Sequence, residues 1–206
     1  METNLLFPAL KAIAAFFDGC KVGYQGTKGY RKSTDLFKFI HCIRELRTLG
    51  FLDKDSTVFT DLGCADGRVN IFMSYFVRQS IGIEIDSEIL NEYTLRRKGL
   101  DGLLRQAGLP LPPGNIFLFN GNSIDPETYK RMGEETGVGF ADVDIFYTYI
   151  TLHDVFGEKI AAEARPGALY LVYGFNRILP RYGEKMEIVL PDVGSQGIAA
   201  LYRKKE

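Results

Sequence analysis

In Asp61-Leu-Gly63-Cys-Ala65-Asp66-Gly67, one carboxylate stands before the first glycine and another just before the last. Glycine has no Cβ to hold a ligand off the backbone and takes positive φ freely, so Gly63 and Gly67 suit a close approach. Turns of this kind usually attract phosphate through backbone N–H groups and a helix N-terminus. Carboxylates do the opposite. Further on, Glu84 follows Gly63 by 21 residues. A carboxylate about 20 residues past a glycine turn is how open α/β sheets grip the two hydroxyls of a ribose. Asp86 falls on the opposite pleat, so Glu84 is the candidate. At this point a dinucleotide and another adenosine-containing ligand are equally open.

The acidic residues separate the two. The dinucleotide fingerprint G-x-G-x-x-G is not met, since Gly63-Cys-Ala-Asp-Gly67 has no middle glycine. Asp61 and Asp66 would repel a pyrophosphate, and a partly desolvated pocket amplifies that repulsion. A ligand that is cationic beside its ribose fits better. S-adenosylmethionine carries a sulfonium and an α-ammonium, has no phosphate, and offers a carboxylate that free turn N–H groups could hold.

The elements that must position these residues follow from periodicity. Thr57–Leu62, Ser80–Ile85, Asn115–Asn120, Val143–Ile150 and Ala168–Phe175 read as strands. Arg68–Arg78, Ser87–Gln106, Pro126–Glu135 and Asp154–Ala164 read as the helices between them. Near-continuous apolar strands such as Ala-Leu-Tyr-Leu-Val indicate a parallel sheet covered on both faces, and ligands of such sheets lie at the carboxyl ends of the strands. Lys185–Pro191 and Gly197–Lys205 are strands with no helix between them, hence an antiparallel hairpin. Upstream, Leu6, Leu10, Ile13 and Phe17 share one helical face. Asp35–Leu49 forms a second helix, for which Ser33 or Thr34 supplies the N-cap and Gly50 the stop.

With 206 residues, 46 % apolar and 25 % charged, the composition is globular. A net charge of −1 gives no global attraction to nucleic acid or anionic membrane. Cys20, Cys42 and Cys64 show no C-x-x-C spacing, which favours buried thiols in a reducing cytoplasm over disulfides or a zinc site. No apolar run approaches the ~20 residues that span a bilayer.

The ordered set of motifs resembles the seven-stranded class I S-adenosylmethionine-dependent methyltransferases. Their first motif, D/E-x-G-x-G-x-G, is matched by Asp61-Leu-Gly-Cys-Ala-Asp-Gly67 with Ala65 at the middle glycine. Gly-Ile-Glu84-Ile-Asp is similar to their second strand, whose acidic end binds ribose. Phe-Asn-Gly-Asn122-Ser123 is similar to the turn that contacts adenine. The resemblance implies a Rossmann-like α/β fold with a doubly wound, mostly parallel seven-stranded sheet and a C-terminal antiparallel hairpin. It also implies an N-terminal helical extension, 1–56, packed on a cofactor-binding domain, 57–206. The implied cofactor is S-adenosylmethionine, held by Asp61, Gly63, Ala65, Asp66, Gly67, Glu84, Asn122 and Ser123. A narrower likeness, carried by Gly29-Tyr-Arg-Lys-Ser-Thr-Asp35 ahead of the first motif, is to the non-SET histone-lysine methyltransferases. It adds Tyr30, Ser33 and Thr34 as residues folding over the cofactor and suggests a protein lysine as acceptor.

The fourth strand of the alternating array ends in Tyr147-Thr-Tyr149-Ile, without the Asn/Asp-Pro-Pro-Tyr of base- and amide-methylating members. Tyr147 and Tyr149 share a face and are the candidate catalytic pair, lining an acceptor channel; core aromatics are the plainer reading. Thr151-Leu-His153-Asp154 reads as a capping box ahead of a general-base reading for His153. Lys21, Lys28, Arg31 and Lys32 form the densest basic cluster, a solvated loop by default. The expected partner is an acceptor, protein or small molecule, with no membrane and no metal. The alternatives are a non-catalytic methyltransferase-like module and a nicotinamide oxidoreductase.

Overall fold

The computed structural model describes residues 3–20, 25–26, 29–30, 33–175 and 178–206. Helix α1 (Thr3–Asp18) is followed by the two-residue strands β1 (Gln25–Gly26) and β2 (Gly29–Tyr30), which pair with each other, and by α2 (Leu36–Thr48). The alternating array is β3 (Val58–Leu62), α3 (Arg68–Met73), β4 (Gln79–Glu84), α4 (Ser87–Gln106), β5 (Ile116–Asn120), α5 (Pro126–Thr136), β6 (Ile145–Tyr149), α6 (His153–Glu163) and β7 (Leu169–Tyr173). A short 3₁₀ turn, Phe140–Asp142, precedes β6, and β8 (Met186–Leu190) and β9 (Ala199–Lys204) close the chain.

Seven strands form one sheet in the order β5-β4-β3-β6-β7-β9-β8. The pairs from β5 to β7 are parallel, and β9 runs antiparallel to both β7 and β8. The doubly wound sheet with its terminal hairpin therefore matches the sequence expectation. The chain builds outward from β3 through β4 to β5, then returns to the other side of β3 for β6. That reversal puts the switch point, where open sheets bind ligands, between β3 and β6.

Alternate strand residues feed two apolar layers. Phe59, Tyr147, Leu171 and Leu201 meet α1, α2, α3 and α4 on one face, through residues such as Phe17, Phe39, Phe72 and Leu100. Val58, Phe146, Val172 and Tyr202 meet α5 and α6 on the other, through Met132 and Ile160. From α1, Leu10, Ile13 and Phe17 lie in the first layer, as their helical spacing predicts.

Two local expectations change. The helix after the glycine turn stops at Met73 rather than Arg78, because its exit carbonyls go elsewhere. Asn115 Nδ2 donates to Ser74 O at 3.0 Å, Val77 O at 2.8 Å and Arg78 O at 3.3 Å. The N-cap of α2 is Asp35, whose side chain accepts from Lys38 N at 2.9 Å. Asp18, at the end of α1, adds two acceptors at 3.0 Å for Leu36 N and Phe37 N. Ser33 and Thr34 are thus released from capping.

Candidate functional site: the glycine turn and the carboxyl edge

Strand β3 is buried along its whole length and ends at Leu62, so the five residues before α3, Gly63–Gly67, decide what is presented at the sheet's carboxyl edge. Gly63 has φ +100°, Ala65 +49° and Gly67 +71°. Ala65 is the informative one. It stands where the family motif has glycine and adopts the left-handed conformation that costs a side-chain-bearing residue roughly 1–2 kcal/mol.

The two glycines serve different needs. A Cβ on Gly67 would fall 2.8 Å from the Tyr93 ring and 2.9 Å from Leu118 Cδ1, so close packing of α4 and β5 demands glycine there. A Cβ on Gly63 would meet no protein atom within 4 Å. Gly63 faces open space.

Most turn N–H groups are already used. Gly63 N and Cys64 N both donate to Ile83 O, at 2.9 and 3.0 Å, and Gly67 N donates to Cys64 O at 2.9 Å. Ala65 N donates to Glu84 Oε2 at 2.9 Å, while Glu84 Oε1 accepts from Asp86 N at 2.9 Å. Glu84 therefore bolts the turn to the end of β4, its carboxylate keeping further lone pairs for a ligand. The sequence expectation that free turn N–H groups hold a carboxylate does not describe this turn.

The two aspartates also part company. Asp66 is completely buried and engaged by guanidinium groups: Arg68 Nε and Nη2 donate to it at 3.0 and 2.9 Å, and Arg96 Nη1 lies at 2.8 Å. It neither caps α3, whose N-cap is Gly67, nor offers unbalanced charge to a ligand. Its partner Arg96 sits 30 residues downstream on α4, which is why the sequence did not reveal the pairing. Asp61 is different. It is 2 % exposed, and its Oδ1 has no hydrogen-bond partner. Burial first, then the charges of Glu84 and Asp66, push its carboxyl well above the usual range. The same surroundings keep Cys64 a neutral thiol, burial being the largest cause and Asp61 the next.

Tyr147 lies inside the core instead of lining a channel. It is 1 % exposed, and its hydroxyl is 2.5 Å from Thr34 Oγ1. Burial and the nearby Asp61 charge raise its pKa strongly, while the Thr34 hydrogen bond acts in the opposite direction. Thr34 and Asp61 thus both crowd this phenol. Tyr149, two residues on, is partly exposed at the carboxyl edge. Its ring lies over Gly174, where a Cβ would come within 2.5 Å.

Asn122 Oδ1 accepts from Ile124 N at 3.1 Å, and buried Ser123 offers its carbonyl to Tyr129 Oη at 2.6 Å. Both follow β5, beyond Gly121, whose N–H donates to Glu84 O at 2.9 Å. The structure thus gathers Asp61, Gly63, Glu84, Asn122 and Ser123 along the ends of three adjacent strands. Tyr30 lies in β2, with its side chain outside the described residues, as are Lys21, Lys28, Arg31 and Lys32. His41 is exposed on α2.

The expected capping box at Thr151–Asp154 does not form. The N-cap of α6 is Leu152, at φ 57°, with no side-chain bond. His153 instead pairs through Nδ1 with Tyr182 Oη at 2.9 Å. Sequence alone missed this contact, since nothing in the loop around Tyr182 marks it.

No family model matches the chain, and no curated protein does so either. Solved structures do. The tRNA (m1A58) methyltransferase TrmI of Aquifex aeolicus superposes with a TM-score of 0.55 at 12 % identity, covering 94 % of this chain and 76 % of that one. A point mutant of MtNAS, in complex with S-adenosylmethionine, gives 0.55 at 10 % identity, covering 98 % and 73 %. The fold is that of the class I methyltransferases. At these identities the likeness speaks for architecture, and chemistry must come from the residues above.

Proposed function

We propose that the chain is a methyltransferase that binds S-adenosylmethionine across the ends of β3, β4 and β5. The observation that carries this reading is Asp61: a buried carboxyl with an unpartnered oxygen beneath a turn whose first glycine opens onto free space. A buried polar group without a partner is costly, and a cationic ligand group would relieve that cost. The sulfonium and α-ammonium meet this need; a pyrophosphate does not, which disfavours the nicotinamide alternative. The fold comparisons support the reading at the level of architecture.

In this reading Asp61 holds a cationic part of the cofactor, Glu84 the ribose hydroxyls and the Asn122–Ser123 turn the adenine. Ala65, Asp66 and Gly67 shape the turn, and Thr34 reaches the site through Tyr147. When bound, the cofactor supplies an activated methyl and a ready leaving group. The chain's task is then alignment, bringing an acceptor to within ~3–3.5 Å. Tyr149, at the edge, is better exposed to an acceptor than Tyr147. A protein lysine is the acceptor drawn from the narrower sequence likeness; the fold comparisons lend it no support.

Calorimetric titration with S-adenosylmethionine and S-adenosylhomocysteine tests the proposal, alongside Gly63→Ala and Glu84→Ala. Saturable binding is expected, weakened about tenfold or more, roughly 1.4 kcal/mol, by Gly63→Ala, whose new methyl would meet ligand rather than protein and whose backbone, at φ +100°, would be strained as well. Absence of binding by the folded wild-type chain would sink the cofactor assignment and favour the non-catalytic module.

A further inference from the structure

Beside the ends of β6 and β7 lies a cavity of about 850 Å³. Ile150, Phe175, Ile178 and Leu179 contribute apolar walls, with His153 and Arg181 as polar groups. Its volume is that of small-molecule sites, which are mostly apolar with a few placed polar groups. Parallel neighbours are about 4.8 Å apart, and β6 lies between β3 and β7. The cavity therefore opens on the same carboxyl edge as the glycine turn and extends from Ile150, at the end of the strand next to β3, out to Ile188 on β8.

The lining stretch Leu179–Arg181 is anchored from behind by aromatic residues outside the cavity. Tyr202 Oη donates to Pro180 O at 2.6 Å. Tyr182 stands edge-on to Tyr202, with ring centroids 4.7 Å apart. Its ring also fills the space over Gly157, where a Cβ would collide with it. Gly174, at φ +91°, forms part of the lining and bears the Tyr149 ring. Leu152 holds a left-handed conformation, rare for a residue with a side chain, yet it is 58 % exposed. No core packing demands that strain; it turns the chain so that His153 opens α6. With Nδ1 at the Tyr182 hydroxyl, Nε2 is the ring nitrogen left for a ligand.

The lining also discriminates between acceptors. Arg181 is a fixed cation among the described lining residues, and no carboxylate is among them, so a lysine ammonium would be repelled. Among the described lining residues Ile178 and Ile188 are exposed apolar side chains and Arg181 is the one arginine or lysine, where a polynucleotide would want several cations for its phosphates.

We propose that this cavity binds the methyl acceptor, a small apolar molecule whose hydroxyl donates a hydrogen bond to His153 Nε2. The proposal rests on S-adenosylmethionine occupying the glycine turn. In the transfer, the hydroxyl oxygen forms the bond to the methyl carbon as the methyl–sulfur bond breaks. The broken bond's electron pair stays on sulfur, and the hydroxyl proton passes to Nε2.

2-Naphthol is the probe. Titrated into protein saturated with S-adenosylhomocysteine, it is expected to bind saturably, and Ile178→Asp to weaken it about tenfold or more. Because Ile178 is exposed, the variant should keep its melting temperature and its S-adenosylhomocysteine affinity. Labelled methyl should appear on the naphthol oxygen, with His153→Gln lowering kcat about tenfold or more and leaving KM little changed. Naphthol that fails to bind, or binds regardless of Ile178→Asp, while S-adenosylhomocysteine binds normally, overturns the cavity assignment. Label on added RNA or on protein lysine in place of naphthol overturns it as well. Failure of S-adenosylhomocysteine itself to bind overturns the cofactor reading beneath it, and the two failures are read in separate titrations.

Discussion

Beneath the glycine turn, Asp61 combines a buried carboxyl with an oxygen that no protein group satisfies, so its own charge works against the ligand-free fold. Folding raises its pKa, so the folded state holds that proton more tightly than the unfolded state does. Its contribution to stability is therefore complete below about pH 4, near the unfolded value, and is lost as pH rises through the raised folded value. Asp61→Asn should remove that loss. The ligand-free variant is expected to be more stable at pH 8 by about 1–3 kcal/mol, with a flatter dependence between pH 5 and 8, measured by urea unfolding at each pH. The same substitution should weaken S-adenosylmethionine binding about tenfold or more. A variant that is less stable at pH 8 yet binds normally would contradict the role given to this residue. Asp61 and Asp66 look alike in sequence, five residues apart; Arg68 and, arriving from α4, Arg96 engage Asp66 alone and distinguish them.

Between elements, the contact that ties the segment before α2 to the sheet is the 2.5 Å pair of Thr34 and Tyr147. Asp35 adds to it, its carbonyl accepting from Tyr173 Oη at 3.3 Å. Thr34→Val strands a buried phenol hydroxyl and should cost about 1–3 kcal/mol. That corresponds to several degrees of melting temperature at roughly 2–4 °C per kcal/mol for a chain of this size. Adding Tyr147→Phe should recover part of the loss, since removing both partners costs less than orphaning one. Equal destabilisation by the single and double variants would argue against the pairing. Elements with strong periodicity were legible in the sequence: α4 spans Ser87–Gln106 as expected, and each strand of the seven-stranded sheet lies within two residues of its expected ends, whereas the two-residue strands β1 and β2 were not expected. What escaped reading depends on partners far along the chain. Asn115 ends α3 from 37–41 residues away, and Asp35, not its neighbour Thr34, caps α2 because Thr34 is drawn to β6. The local code for a helix start contains no information about Tyr147.

At the scale of the whole molecule, the hairpin and α2 form a clasp across the sheet's antiparallel side. Cys42 Sγ meets Val193 O at 3.3 Å, Glu45 Oε2 accepts from Gly194 N at 2.5 Å, and Gln196 Nε2 donates to Lys38 O at 2.8 Å. A Cβ on Gly194 would fall 2.9 Å from Cys42 N. Strand β9 lies inside the sheet, flanked by β7 and β8. A chain ending at Gly197 would lose both ladders and the buried residues Leu201 and Tyr202. It should show no cooperative thermal transition by circular dichroism, whereas trimming a true edge strand would only lower the midpoint. A cooperative transition in the shortened chain would show the antiparallel side to be dispensable.

That interior position also governs how the chain is born. Synthesis runs from the N-terminus, so β7 and then β8 emerge from the ribosome before the strand that must lie between them. Until β9 has been made, β7 offers a bare row of N–H and C=O groups, the template on which strands of other chains add. Growing chains on one message would each display that edge for as long as the hairpin takes to complete. Expression yield should therefore respond to translation speed and chaperone supply at the last strands more sharply than at any upstream segment.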